Sequence, residues 1–192
     1  MREKRRMLAR LRERIVRDVC LNDWRDIWFF PRRDGVEGWR GTQRIMFIGL
    51  NPSTGRFASK YDRYFYAQLK RQRFGHAHLT DAIKERAVAD KVKTIRSDAP
   101  RMERYRRYLL KEIEIIRPRR IVALGRTAHD ILTKEWNLKG VVYIPHYAWR
   151  FGKRRQFAVA MAKIRREYEG RRESDASKPE LSSGARRSTT ST

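Results

Sequence analysis

Residues 44–57 read RIMFIGLNPSTGRF, an apolar run followed by a tight turn. Arg44–Ile48 is a short, almost continuously apolar run, which is typical of a strand buried on both faces. It passes directly into Gly49-Leu50-Asn51-Pro52-Ser53, a tight turn in which glycine permits close approach and proline fixes the chain direction. The N–H groups that follow can point at a ligand, and Asn51 adds a neutral donor and acceptor. We therefore expect any active centre at the Gly49–Phe57 turn.

Two further short apolar runs, Ile121–Leu124 and Val141–Ile144, lie later in the chain. Predicted helices follow them at Thr127–Trp136 and Lys153–Tyr168. Such alternation indicates a parallel sheet covered on both faces, so we predict an α/β fold of three layers, α/β/α, with a central, mostly parallel four-stranded sheet. Because ligands bind beyond the carboxyl ends of such strands, the turns after the three apolar runs should converge on one crevice.

The remaining patterns are helical or ambiguous. Tyr61–Arg73 is a plausible helix, and residues 101–117 carry an apolar stripe at helical spacing that Pro118 ends. Ala77–Ile83 is compatible with a strand end or a buried turn. Asp26–Pro31 is compatible with a short edge strand.

The two ends of the chain differ from its middle. Residues 1–25 contain a basic amphipathic helix that we expect to pack on the domain formed by residues 26–170. Residues 171–192 are rich in Ser, Thr, Glu and Arg, and we predict a disordered polar tail. Cys20 is the only cysteine, so one chain can form neither a disulfide nor a four-cysteine cluster.

The charge of the chain predicts its partner. Forty-seven Lys and Arg against 22 Asp and Glu give a net charge of +25 and a pI of about 11.1. A polyanion relieves that self-repulsion, and each neutralised phosphate releases counterions, so we expect contact with DNA or possibly RNA. No apolar stretch approaches 18 residues, and no signal-peptide core follows the basic N terminus. We expect a cytoplasmic monomer that does not contact membranes and is nucleoid-associated if prokaryotic.

Several motifs together resemble the uracil-DNA glycosylase superfamily. Ile48–Ser53, then Phe57-Ala58, then Arg63-Tyr64-Phe65 is similar to the Gly-Ile-Asn-Pro, Phe-Ala and Arg-Phe-Trp series of the mismatch-specific uracil and thymine glycosylases. Pro118–Gly125 is similar to the Pro-x-x-Ile-x-x-Leu-Gly strand of the superfamily. Val142–Arg150 falls where those enzymes carry a His- or Asn-containing loop.

This resemblance covers about residues 44–166 and implies roles for particular side chains. Asn51 matches the asparagine that positions the attacking water, and His146 falls near a histidine that hydrogen-bonds the departing uracil oxygen. Phe57 matches the aromatic residue on which the flipped base stacks. Taken by themselves, Phe57 is also compatible with a core residue, and His146 with a structural hydrogen bond. No cofactor is implied, and the sequence offers no convincing metal site.

Two further sets complete the candidate site. Besides Phe57, the residues expected to contact the base surround the first turn and the second strand: Gly49, Leu50, Ser53 and Asp81. The residues expected to contact DNA are basic or aromatic and include a wedge loop: Arg56, Arg63, Tyr147, Trp149, Arg150 and Lys153.

The sequence departs from the family at Asp81 and in the last motif. Uracil-specific branches usually have asparagine where Asp81 stands, and an ionised carboxylate facing uracil O4 is repulsive unless it is protonated or turned away. It can accept instead from an exocyclic amine. Pro145-His146-Tyr147-Ala148 also lacks the usual proline after the histidine.

The resemblance implies a monofunctional DNA glycosylase that hydrolyses the N-glycosidic bond of a flipped, damaged or mismatched base, with uracil the favoured substrate, in base-excision repair. The departures favour a rival, a non-catalytic nucleic-acid-binding protein that keeps the fold. A phosphohydrolase or nucleotide-binding protein is disfavoured because no Walker-type or dinucleotide signature is present.

Overall fold

A single sheet of four parallel strands organises the protein. The computed structural model describes residues 1–21, 27–148 and 154–176, and the side chains of residues 1–18, 27–148 and 154–170. The strands are β1 (Gln43–Gly49), β2 (Ala77–Asp81), β3 (Arg120–Leu124) and β4 (Val141–Ile144). They lie in the order β2-β1-β3-β4, with all pairs parallel, which confirms the predicted three-layer architecture.

Helices connect the strands and cover both faces of the sheet. They are α1 (Arg2–Leu21), α2 (Lys60–Arg71), α3 (Ala89–Ser97), α4 (Ala99–Ile116), α5 (Arg126–Asp130) and α6 (Arg154–Ala176). A π-helical turn, Ile131–Glu135, extends α5, and a short 3-10 turn, Gly38–Arg40, precedes β1. In the described part of the chain, no helix has the length and apolar character needed to span a lipid bilayer.

The alternation of side chains along β1 divides the core between two faces. Met46 and Ile48 pack on the side covered by α1, α3, α4 and α5, which we call the α1–α4 face. Ile45 and Phe47 pack on the side covered by α2 and α6, the α2–α6 face. All four residues are fully buried, so β1 is the apolar centre of the domain.

Helix α1 is part of this core. Leu8, Leu11 and Ile15 are buried on the α1–α4 face, while the arginines of the helix lie mostly on its exposed side. The Nζ atom of Lys4 donates to the carbonyl of Ile116 at 2.7 Å, which ties the helix to the end of α4. These contacts join α1 to the α1–α4 face and to the end of α4.

One predicted strand differs from the sequence-based expectation. The predicted edge strand at Asp26–Pro31 is wrong in its described part, where Ile27 forms one isolated antiparallel bridge with Glu85. Trp28 then donates its N–H to the carbonyl of Lys84 at 3.1 Å, and Pro31 has no N–H with which to continue a ladder.

Two helical regions also differ from the expectation, one in its end and the other in its presence. Helix α6 continues to Ala176, through Arg and Glu residues that are good helix formers, instead of giving way to the tail at residue 171. Residues 177–192 lie outside the described residues. Helix α3 was not predicted, because Val92 and Ile95 are the only residues it buries and they form a weak apolar stripe.

Candidate active site

A cleft of about 480 Å³ opens at the carboxyl ends of the strands. Gly49 and Asn51 line it from the end of β1, Leu124 from the end of β3, and His146 from the loop after β4. The turns therefore converge as the parallel topology requires. The other lining residues come from the end of β2, the flanking loops and the start of α2: Trp28, Phe30, Pro52, Ser53, Gly55, Phe57, Ser59, Tyr61, Asp62, Asp81, Arg86, Tyr147 and Ala148.

Asn51 is held in one orientation by the backbone. Its Nδ2 group donates to the carbonyls of Pro52 and Ala87, both at 2.9 Å. Because both partners are acceptors, the amide NH2 must face them, and Oδ1 is left as the acceptor. Asn51 can therefore orient a water molecule by accepting one of its protons.

Arg86 fixes the rest of the turn that follows β1. Its Nε donates to the carbonyl of Ser53 at 2.9 Å, and its guanidinium also donates to the carbonyl of Gly55 at 2.5 Å. The N–H of Ala87 donates to the carbonyl of Pro52 at 3.2 Å. The turn is thus bound along its length to the segment after β2, which restricts how far Asn51 can move.

Asp81 lies against Gly49 at the wall of the cleft. The two residues are partners in the register of β1 and β2, and a Cβ on Gly49 would lie 2.1 Å from Oδ1 of Asp81. Burial raises the pKa of Asp81 to about 7, with Lys84 opposing the shift and Glu112 adding to it. The carboxyl group is therefore neutral in an appreciable fraction of molecules near neutral pH.

A buried charge network lies behind Asp81. Lys84 is 1% exposed, and its Nζ lies 2.7 Å from Glu112 Oε1 and 2.6 Å from Thr80 Oγ1. Glu112 also contacts His78 Nε2 at 3.0 Å. Burial alone would raise the pKa of Glu112, but Lys84 and His78 outweigh it and the pKa is lowered. Because Lys84 also donates to the carbonyl of Asp81 at 2.5 Å, the network holds the end of β2 in place.

Phe57 is an aromatic wall of the cleft. Its ring packs against Trp28 and Tyr66, with centroid distances of 5.6 and 5.7 Å, and the guanidinium of Arg33 lies 5.9 Å from its centroid. The side chain is half-buried and lines the cleft, so it can both pack and offer surface to a ligand. In the folded protein, Phe57 can therefore act both as a core residue and as a surface on which a base stacks.

His146 is held as a neutral imidazole. Its Nδ1 accepts the N–H of Ala148 at 3.1 Å, so the ring proton of the neutral form is on Nε2. Burial lowers the pKa of His146 to about 4, against a smaller opposing effect of Asp62. At neutral pH His146 can therefore donate one hydrogen bond from Nε2 while carrying no charge.

Tyr147 belongs to the wall of the cleft. Its ring stacks on Phe65 at 4.5 Å with an interplanar angle of 5°, and on His146 at 4.4 Å. A ring packed between two others cannot also project into a duplex. The structure therefore does not favour the wedge role for Tyr147, whose ring instead packs between Phe65 and His146.

Comparison with known proteins identifies the family. The family model described as the uracil DNA glycosylase superfamily matches residues 38–167, more than half of the chain. The chain belongs to the uracil DNA glycosylase superfamily. No individual curated protein matched it. Membership in this superfamily indicates DNA glycosylase chemistry, the hydrolysis of the bond between a base and its sugar, and DNA as the substrate.

Only some of the remaining predicted site residues of this superfamily member line the cleft. Ser53 lines the cleft, whereas the side chain of Leu50 packs against the core on the α1–α4 face, which does not favour its predicted contact with the base. Arg56 and Arg63 are exposed beside the cleft-lining segment. The last three predicted DNA contacts lie outside the described residues: Trp149, Arg150 and Lys153.

Several cleft residues, among them Trp28, Asp62 and Arg86, were not predicted from the sequence. Trp28 precedes the span that matches the superfamily, and Arg86 follows β2 in a segment without a motif. Asp62 belongs to a capping box with Ser59 at the start of α2. The Ser-x-x-Asp spacing before an apolar helix is a recognisable signal for that cap, although not for a place in the cleft.

Replacing Gly49 by alanine should impair the site more than the fold. The new Cβ would overlap Oδ1 of Asp81, so the carboxyl group must turn away from the position it now occupies. If Asp81 contacts the base as predicted, we expect the excision rate to fall at least about tenfold, while the thermal midpoint drops by only a few degrees. Steady-state kinetics and thermal unfolding measure the two effects. Equal excision rates for Gly49→Ala and the unaltered protein would contradict this arrangement.

Proposed function

We propose that this protein is a monofunctional DNA glycosylase of the mismatch-specific type, which excises uracil that has been flipped out of DNA. The observation that carries the proposal is the pairing of two groups in one cleft, the acceptor Oδ1 of Asn51 and the neutral donor Nε2–H of His146. Hydrolysis of the glycosidic bond requires a positioned water and a donor aimed at the oxygen of the departing base. A neutral imidazole meets the second need without a cofactor.

The walls of the cleft support the binding of an extruded base. A base inside a duplex is inaccessible, so an enzyme that acts on it must extrude it at a cost of a few kcal/mol. Stacking on an aromatic side chain such as Phe57 recovers about 1–3 kcal/mol for each base. The net charge of +25 supplies the general attraction for the phosphate backbone, to which exposed Arg56 and Arg63 can contribute.

Asp81 fits uracil recognition in its neutral form. A protonated carboxyl group can accept from uracil N3–H through its carbonyl oxygen and donate to O4 through its hydroxyl group, as an asparagine amide does. The ionised form cannot donate to O4. The raised pKa of Asp81, about 7, keeps this neutral form available at the pH of most cells.

Uracil excision should therefore decrease at alkaline pH. Because the neutral form of Asp81 is lost as the pH rises through about 7, kcat/KM for uracil should fall about tenfold per pH unit above that value. Asp81→Asn should abolish this alkaline decrease, since an amide does not titrate. Rate profiles between pH 5.5 and 9 on one uracil-containing oligonucleotide test the expectation. An alkaline decrease that persists in Asp81→Asn would assign the titration to another group.

The test of the proposed activity is a panel of damaged oligonucleotides. Single- and double-stranded oligonucleotides containing uracil, hypoxanthine, xanthine or a thymine mismatch are incubated with the protein and then cleaved with alkali. We expect strand cleavage at uracil. No abasic product from any of these substrates would exclude the enzymatic function.

A second candidate function, non-catalytic DNA binding, is favoured by the carboxyl group of Asp81 where uracil-specific relatives carry an amide. Both candidates bind DNA with a steep dependence on salt, so salt titration does not separate them. A binding protein without activity would leave uracil in place. If it also bound uracil-containing and undamaged oligonucleotides equally, the cleft would have no role in base recognition.

A further inference from the structure

Asp62 is a cleft-lining carboxylate that has no part in the proposed function. Its Oδ2 accepts from the backbone N–H and the hydroxyl group of Ser59, both at 2.8 Å. The N–H of Asp62 in turn donates to Ser59 Oγ at 3.2 Å. These contacts fix the carboxylate at the first turn of α2, where the helix dipole also stabilises negative charge.

The second oxygen of Asp62 is left largely free. Within the described part of the chain, Oδ1 has one polar contact, a long one of 3.5 Å from the hydroxyl group of Tyr147. Asp62 is half-buried and lines the cleft together with Asn51 and His146. One oxygen is thus used to hold the group, and the other can meet a ligand.

The negative charge of Asp62 acts on two other cleft residues, His146 and Tyr147, and on Tyr66 of its own helix. It opposes the effect of burial on the pKa of His146, and it adds to the effect of burial in raising the pKa of Tyr147 and of Tyr66. His146 and Tyr147 belong to the loop after β4, so the charge of α2 also reaches that loop. The other carboxyl group of the cleft, Asp81, lies at the end of β2 and is more deeply buried.

We infer that Asp62 is a further catalytic residue, whose carboxylate stabilises the positive charge that develops on the sugar and accepts a proton from the attacking water. This inference rests on the proposed glycosylase function. Asn51 and His146 are both neutral and cannot supply a counter-charge to the sugar cation. A carboxylate held in a partly dehydrated cleft acts on a developing cation far more strongly than it would in water.

The reaction balances with the groups present. The water oxygen forms a bond to the anomeric carbon as the bond from that carbon to the base nitrogen breaks, and the bonding pair leaves with the base. One water proton passes to Oδ1 of Asp62 and then to solvent. The base anion, whose oxygen accepts from His146, takes a proton from solvent as it departs.

The experiment compares two abasic analogues in otherwise identical oligonucleotides. One carries a neutral tetrahydrofuran ring at the target position, and the other a pyrrolidine ring that is positively charged at neutral pH. We expect the unaltered protein to bind the cationic analogue at least about tenfold more tightly, because it resembles the charge of the transition state. Asp62→Asn should reduce that preference to less than about threefold and leave binding of the neutral analogue unchanged.

A matched variant and a melting curve separate charge from structure. Asp90→Asn removes an exposed carboxylate at the start of α3 and should keep the full preference for the cationic analogue. Asparagine at position 62 can still accept from the N–H of Ser59, so the helix cap should survive, which thermal unfolding verifies. If Asp62→Asn unfolds, Asp62→Gln takes its place, because glutamine at this N3 position can also accept from the N–H of the N-cap residue Ser59 and carries no charge. Retention of the cationic preference in the folded variant, or its absence from the unaltered protein, would overturn the inference.

Turnover separates this inference from the proposed function. If the unaltered protein releases uracil, Asp62→Asn should lower kcat about 100-fold with KM within about threefold. Normal kcat in that variant would overturn the role of Asp62 and leave the glycosylase function intact. If the unaltered protein releases no base but still prefers the cationic analogue through Asp62, the glycosylase function is excluded. The position of the Asp62 carboxylate beside the sugar would then still be supported.

Discussion

Asn51→Ala should reduce uracil excision by at least about 100-fold while changing the affinity for DNA by less than about threefold. The variant removes the only side-chain acceptor that the turn after β1 is proposed to offer to the attacking water. It also removes two hydrogen bonds to the carbonyls of Pro52 and Ala87. Loss of the acceptor is expected to affect the transition state alone, because the proposed phosphate contacts of Arg56 and Arg63 are unchanged in this variant. Single-turnover rates and equilibrium binding to a uracil-containing oligonucleotide measure the two quantities.

The control for Asn51→Ala is Thr54→Ala in the same turn. Thr54 is exposed and does not line the cleft, so its substitution should leave the excision rate within about twofold. A similar loss in both variants would mean that disturbance of the turn, rather than the amide of Asn51, accounts for the effect. A loss of less than about fivefold in Asn51→Ala would remove Asn51 from the mechanism, because one positioned group normally contributes far more.

Glu112→Gln should lower the free energy of unfolding by about 3–5 kcal/mol. The substitution leaves the ammonium of Lys84 buried without its counter-charge, and both side chains are 1% exposed or less. The pKa of Glu112 is lowered in the folded protein. Its stabilising effect is therefore complete above the ordinary pKa of 4.5 and is lost as the pH falls through the folded-state value. Urea denaturation at pH 7 gives the magnitude.

Two further variants show whether the network is the cause. Glu114→Gln, on the same helix, breaks only an exposed pair with Lys111 and should leave the stability nearly unchanged. Combining Glu112→Gln with Lys84→Met should recover part of the loss, because it removes the unpaired charge. Equal destabilisation by Glu112→Gln and Glu114→Gln would show that the buried pair contributes nothing beyond an exposed one.

The sequence patterns predicted the sheet because its strands are short and buried. Ile121–Leu124 and Val141–Ile144 stand out as apolar runs bounded by turn residues, and both coincide with strands to within one residue. The position of the cleft followed from the parallel topology. The family resemblance added the candidates Asn51, Phe57 and His146, all of which line that cleft.

Other features depend on contacts between distant segments and have no local signal. Trp28 reaches the cleft because its backbone bonds to Lys84, and Arg86 does so by donating to carbonyls more than 30 residues earlier. Leu50 was expected at the base, yet its side chain packs into the α1–α4 face. Such pairings are selected by packing across the sheet, which periodicity along one segment cannot reveal.

The cleft gives two carboxyl groups different environments. Asp62 is half-buried and held by two donors from Ser59, whereas Asp81 is almost fully buried and has a raised pKa. Groups of one type whose environments differ in this way can take different roles in one reaction. On this account Asp81 recognises the base as a neutral group, and Asp62 meets the sugar as an anion.

The release of free uracil distinguishes a working glycosylase from a protein that only binds DNA. A duplex oligonucleotide with one uracil is incubated with excess protein at pH 6.5, and uracil is quantified by mass spectrometry beside the same reaction with Asn51→Ala. We predict that the unaltered protein releases about one uracil per duplex. We predict that Asn51→Ala releases uracil at less than about one hundredth of the rate of the unaltered protein. No free uracil from the unaltered protein, or equal release by both proteins, would contradict hydrolysis in this cleft.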